Sequence, residues 1–250
     1  MSDAMTLDSD AFDRYREAFL SRMGDFVDFS LESGTYWTEE REYKVDLVSV
    51  AREALGPEVF SARGKGSLER VQAGLKRILT ARLKSIGRPQ NLLGWRYIDV
   101  LMTLPPSAAE KFANALGDVL YGTDPIPRRI DAFTKSTWPI FSGGEKGNPY
   151  ALSRIVPSLF LMLTDPKANV AVRTDMFRAA GDDLTGRRLL IREPFSGKEY
   201  EAVREFSRLV FSNLERLGWI PNDMLDVHSF LWIATRTTYN EELFNAEAET

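Results

Sequence analysis

The chain has 250 residues, 44% of them apolar and 27% charged, with a formal net charge of -4. That composition excludes a disordered chain and leaves enough apolar material for a sizeable core. There is no cysteine and a single histidine, His228, which removes disulfides, thiolate zinc sites, a cysteine nucleophile and multi-histidine metal centres, so any metal would rest on carboxylates and no cofactor is expected. No apolar run approaches the roughly 20 residues that cross a bilayer, and the acidic first residues do not suit a signal segment, so a cytoplasmic location is expected.

The charges are unevenly spread. Residues 1–62 carry 14 acidic and 6 basic side chains, whereas 63–96 carry nine basic residues against one acid, Glu69. The last ten residues hold four glutamates. A local excess of eight positive charges is the most unusual compositional feature of the chain, and averaging conceals it.

In chain order, Phe12, Tyr15, Phe19, Met23 and Phe26 recur every three or four residues and predict an amphipathic helix over 8–29, with Ser9 or Asp10 as N-cap. Ser33-Gly34 breaks it. A second helix is predicted from Thr38 or Glu39 to Leu55, stopped by Gly56-Pro57, with an acidic first turn that suits the helix dipole. A glycine-rich basic loop, 61–66, precedes a helix over 67–86 with Leu68, Val71, Leu75, Ile78, Leu79 and Leu83 inward and its cations largely outward. Residues 91–101 read as helix or buried turn. Pro105-Pro106 opens a helix to Leu120 with Ser107 as its cap, 128–134 reads as a short helix, and 143–149 as a loop and the best boundary between halves. Leu152 to Leu163 is apolar and helical in length, with Pro157 near its start or kinking it.

The texture then changes. Residues 169–173 alternate like a short strand and 189–192 form a second strand candidate, separated by a short helix over 175–180 capped by Thr174. Ser196 opens a helix over 199–217 that Gly218 ends, and an apolar helix after Pro221 closes the fold. The expected architecture is mainly α (α+β): a helical, bundle-like protein with a small two- or three-stranded element near 168–192. It divides into an N-terminal half, 1–142, a C-terminal half, 150–240, and a frayed acidic tail, 241–250; one continuous domain is equally compatible with the sequence.

Four constellations bear on chemistry. Gly64-Lys65-Gly66-Ser67 lacks the glycine that a phosphate loop needs at position 59, which is Val59, so only anion binding by backbone N–H groups remains open there. Glu42 and Lys44, with Asp25 or Asp28 upstream, superficially match the two-carboxylate and lysine set of magnesium nucleases, but on a helix they read as a solvated face with an ordinary ion pair. Asp223, Asp226 and His228 are close in sequence without a hydroxyl nucleophile, and read as a helix cap, a local hydrogen bond and a satisfied structural histidine. The basic stretch fits an electrostatic footprint for nucleic acid, with Arg63, Lys65, Lys76, Arg77, Arg82, Lys84 and Arg88 on phosphates and Trp95 and Tyr97 as stacking groups. Pairing of the basic helix with the acidic one is the competing reading.

The closing string from Leu217 to Ile233, LGWIPNDMLDVHSFLWI, resembles segments of bacterial restriction-like and anti-phage defence proteins. These include regions that precede the motor of McrB-like restriction enzymes. Glu40 to Lys44, Pro127 to Phe133 and Pro157 to Pro166 share in the likeness. The resemblance implies a recognition module that is not itself an enzyme, working with a motor or nuclease protein or domain supplied elsewhere, and it transfers no catalytic residue. DNA is the expected ligand. A protein assembly module, or a metal-dependent nuclease without a recognisable motif, is the alternative.

Overall fold

The computed structural model describes residues 4–61, 65–80, 92–144, 147–191 and 193–239. Helix α1 (Ser9–Arg22) is followed by α2 (Gly34–Tyr36), a π-helical turn (Trp37–Arg41) and α3 (Glu42–Ala54), which run on as one helical rod. Short α4 (Pro57–Ser61), α5 (Lys65–Leu79) and α6 (Trp95–Met102) come next, then α7 (Pro106–Tyr121) and α8 (Ile126–Ser142). The second part holds α9 (Pro149–Thr164), α10 (Thr174–Thr185), α11 (Gly197–Arg216) and α12 (Met224–Tyr239).

Two helices organise the rest. In α9 every side chain from Leu152 to Leu163 is buried, and in α12 nearly all from Met224 to Thr235 are, because helices apolar all round are stable only when neighbours surround them. Helix α9 packs against α3, α7, α8 and α10, and α12 against α1, α10, α11 and the π-helical turn. One cluster of buried apolar side chains runs from Ala11 to Ala234. Asp183 of α10 ties two further helices together by accepting from Tyr15 Oη of α1 at 2.8 Å and Tyr239 Oη of α12 at 2.7 Å.

Several helix ends differ from the sequence expectation. The cap of α1 is Asp8, whose carboxylate accepts from Ala11 N–H at 2.8 Å, and the helix stops at Arg22. Phe26 and Phe29 leave the helix yet remain in the core, where Phe19, Phe26, Phe29, Tyr36 and Trp219 meet at centroid distances of 4.8 to 6.1 Å. The predicted short helix 128–134 extends to Ser142 through Pro139, because Ile130, Phe133, Thr134, Thr137 and Phe141 form a buried stripe that packing holds helical. Neither Ser107 nor Thr174 caps its helix by a side-chain hydrogen bond. Ser196 does, in a full capping box with Glu199.

The expected strands are not supported: among the described residues no strand forms. Residues 169–173 and 187–191 form irregular connections, and several of their polar groups are met by side chains rather than by a ladder. Ser158 Oγ accepts from Val172 N–H at 2.8 Å, and Tyr200 Oη donates to the Val170 carbonyl at 3.4 Å. Glu199 accepts from Ile191 N–H at 3.0 Å, while Arg154 donates to the carbonyls of Ile191 and Glu193. Alternating side chains indicate a half-buried segment, and here side chains of α9 and α11 bond its backbone groups in place of a partner strand. Residue 192, the end of the second strand candidate, lies outside the described residues, as does the expected acidic tail.

Glu199 therefore serves three groups at once: the cap of α11, the Ile191 amide and the buried guanidinium of Arg154 at 3.4 Å. Glu199→Ala is expected to lower the unfolding free energy by about 3–5 kcal/mol, because it strands a buried charge. Urea unfolding followed by circular dichroism reads this directly, and a loss below about 1 kcal/mol would contradict the role assigned here.

Candidate nucleic-acid interface

Helix α5 turns Val71, Leu75, Ile78 and Leu79 inward against α3 and leaves Glu69, Arg70, Gln72, Ala73, Lys76, Arg77 and Thr80 in solvent. This is the orientation its spacing predicts. The cations behave differently from one another. Arg77 reaches across to Glu53 of α3 at 2.6 Å, so the pairing of basic with acidic helix holds for this residue. The pair is exposed and contributes little to stability. Lys76 is exposed beside a cleft of about 250 Å³ between α5 and α6, lined also by Gln72, Ala73, Leu75, Leu101 and Met102. Lys65 is the first residue of α5. Arg63, Arg82, Lys84 and Arg88 lie outside the described residues.

At the start of α6, Trp95 is 73% exposed, the most exposed large apolar side chain described. The Arg96 guanidinium stands 5.4 Å from its ring centroid, within cation–π range. Met102, at the other end of α6, is also exposed. Tyr97, the second expected stacking group, is instead half-buried against the core. The surface therefore combines an indole, a thioether, a cleft and at least one solvent-facing cation, Lys76.

The other constellations come together in the interior. Arg41, the last residue of the π-helical turn, is bidentate to Asp223 at 2.6 and 3.0 Å and also meets Asp226 at 3.1 Å. Asp226 accepts from Tyr36 Oη and from Asn222 N–H, the latter at 2.7 Å, while Asp223 caps α12 by accepting from Leu225 N–H at 2.9 Å. The cap and the local bond read from the sequence are both present, but the arginine is new. Burial raises the Asp226 carboxyl above the usual carboxylate range, with Arg41 opposing that shift. Lys44 is fully buried, bonded to Glu40 at 2.9 Å and Ser229 at 2.7 Å. The solvated face expected around Glu42 and Lys44 is thus corrected: the ion pair exists, but with Glu40, and it is inside. Asp25 accepts from Thr35 N–H and Asp28 from Ser30, so neither joins Lys44.

The spacing Tyr36, Glu40, Lys44 was the signal for this network, since residues four apart share a helix face, and the π-helical turn brings Arg41 to the same partner helix. It carries no obvious charge pattern because its partners lie about 185 residues away in sequence. Among the described residues, no group of three His, Cys, Asp or Glu side chains is arranged to hold a metal ion.

His228 sits next to this network, 2% exposed, and neither ring nitrogen has a hydrogen-bond partner. It is buried as expected but not satisfied. Burial, then the positive charges of Lys44 and Arg173, hold its pKa well below the usual histidine value. The unfolded chain, with an ordinary value of about 6.5, binds a proton that the folded chain refuses, so stability is full above about pH 6.5 and falls by about 1.4 kcal/mol per unit below it. With His228 the sole histidine, His228→Leu is expected to remove that slope between roughly pH 6.5 and 5, as read from urea melts. At neutral pH it is expected to match or exceed the parent by about 1 kcal/mol. An unchanged slope would contradict the buried neutral imidazole.

No protein-family model, curated protein or solved structure matches the chain, so its own surfaces and sequence carry the functional reading.

Proposed function

We propose that this chain is a nucleic-acid recognition module that does no chemistry itself, that it reads single-stranded or unpaired DNA on the α5–α6 surface, and that it serves a motor or nuclease protein or domain in a bacterial restriction or anti-phage setting. The observation that supports this best is Trp95, 73% exposed at the start of α6, the helix whose other end lines a cleft with Lys76 of α5. Exposed aromatic rings and cations on one face are the usual combination for strands whose bases are free to stack, and each stacked base contributes about 1–3 kcal/mol. The nine cations of 63–96 supply a field that attracts the phosphate backbone even though the chain as a whole is acidic. The setting rests on the likeness of the closing string to defence proteins.

The assignment of Lys76 to a phosphate is kept. Arg77 contributes less than its charge suggests, because Glu53 already holds it. Fluorescence anisotropy with a labelled oligothymidylate at several salt concentrations tests the reading. Lys76→Gln is expected to weaken binding and lower the salt slope by about 0.7, the value for one phosphate contact on a single strand. Trp95→Ala is expected to weaken binding by about 1–3 kcal/mol and leave the slope unchanged. No binding by the parent at low salt, or binding by both variants equal to that of the parent, would overturn the proposal.

A further inference from the structure

A second surface lies on another part of the chain. Val27 is 65% exposed, Leu31 43% and Ile220 55%. They belong to two loops that are tied together: Phe29 N–H donates to Trp219 O at 2.7 Å, and Asn222 Nδ2 donates to Phe29 O at 2.7 Å. All three aliphatic side chains therefore sit within two residues of these bonds. Around them, residues 23–34 hold three carboxylates, Asp25, Asp28 and Glu32, and no cation.

Ile220 is held in an unusual backbone. Its φ is +48°, and among the described residues no other non-glycine has a positive φ. A β-branched residue rarely adopts that conformation, and the residue before a proline, here Pro221, is normally extended. The strain has no return in core packing, because the side chain points largely into solvent. Glycine would take the same backbone freely. Strain of this kind marks places where a fold fixes a group for a purpose other than its own stability.

The chain also carries the complementary surface. The α5–α6 face offers Trp95, Met102 and a cleft lined by Ala73, Leu75, Leu101 and Met102 beside Lys76, with Arg70 of the same helix also in solvent. We propose that the Val27, Leu31 and Ile220 surface of one copy docks on the α5–α6 face of a second copy, apolar on apolar and carboxylates on cations. The two surfaces differ, so the contact is heterologous and builds a head-to-tail series, closing into a ring or continuing as a filament. The α5–α6 face cannot hold DNA and a second copy at once. An oligonucleotide bound there dissolves the assembly.

Sedimentation velocity across a range of protein concentrations tests this. At low salt the mass of the parent is expected to grow with concentration, and at high salt to return to one chain. Ile220→Gly and Lys76→Glu each lose the association. Their equimolar mixture forms a complex of two chains and no larger one, because each variant keeps the surface that the other lacks. Ile220→Gly is expected to melt at or above the parent temperature, separating loss of docking from loss of folding; if the loop rearranges, Leu31→Glu, which touches no strained residue, gives the same loss. Ile220→Gly still binds oligothymidylate like the parent, so failure of docking is distinguishable from failure of the nucleic-acid reading. A parent that stays single at every concentration would overturn the inference, as would growth that survives both substitutions or a mixture that does not associate.

Discussion

The constraint on which the rest of the structure depends is the burial of Arg41 against Asp223 and Asp226. Removing a guanidinium and two carboxylates from water costs several kcal/mol per ion, and their mutual attraction only offsets that cost when the geometry is good. The three charges therefore do little for net stability but act strongly on uniqueness, because any other packing of α12 leaves a charge buried alone. Burial lowers the affinity of Arg41 for its proton, yet its two carboxylates outweigh this and hold its pKa above the ordinary arginine value. Around this point are arranged the π-helical turn that brings Arg41 to α12, the Asp223 cap, and the Asn222 bond that anchors the Phe29 loop. Lys44 and Ser229 repeat the device one turn further along α12.

How much of this was legible in the sequence depends on the range of the interaction. Periodicity found the helices, and Ser196 and the glycine at 218 located both ends of α11, because those signals act within a few residues. The apolar run 152–163 announced a buried helix for the same reason. The strands failed because alternation describes only one chain segment, whereas a strand needs a partner, and Ser158, Glu199 and Arg154 answered the backbone instead. The short helix over 128–134 failed in the opposite direction: α8 runs on through Pro139 to Ser142, held by its buried stripe. Lys44 and Arg41 looked like surface charges, since nothing local says that α12 will cover them.

The same division applies to the surfaces. The basic stretch was visible from charge counting, and α5 presents Lys76 outward as its spacing requires. Charge counting did not reveal that Arg77 is shared with Glu53, nor that Trp95 is exposed while Tyr97 is packed. Ile220 was entirely silent, because a backbone conformation is set by the loops that surround it. What emerges is a helical body whose buried ionic groups are structural, with the two proposed recognition surfaces outside it, on α5 and α6 and on the loops around Phe29 and Trp219.

That separation of structural interior from recognising surface is tested most directly by the five tryptophan indole signals in a nuclear magnetic resonance titration with oligothymidylate. Trp219 packs in the aromatic cluster and Trp232 lies beside Arg173 and Arg236 on α12. The account predicts that the Trp95 indole shifts progressively while those of Trp219 and Trp232 stay in place. A titration in which Trp232 moves and Trp95 does not would contradict it and transfer recognition to α12.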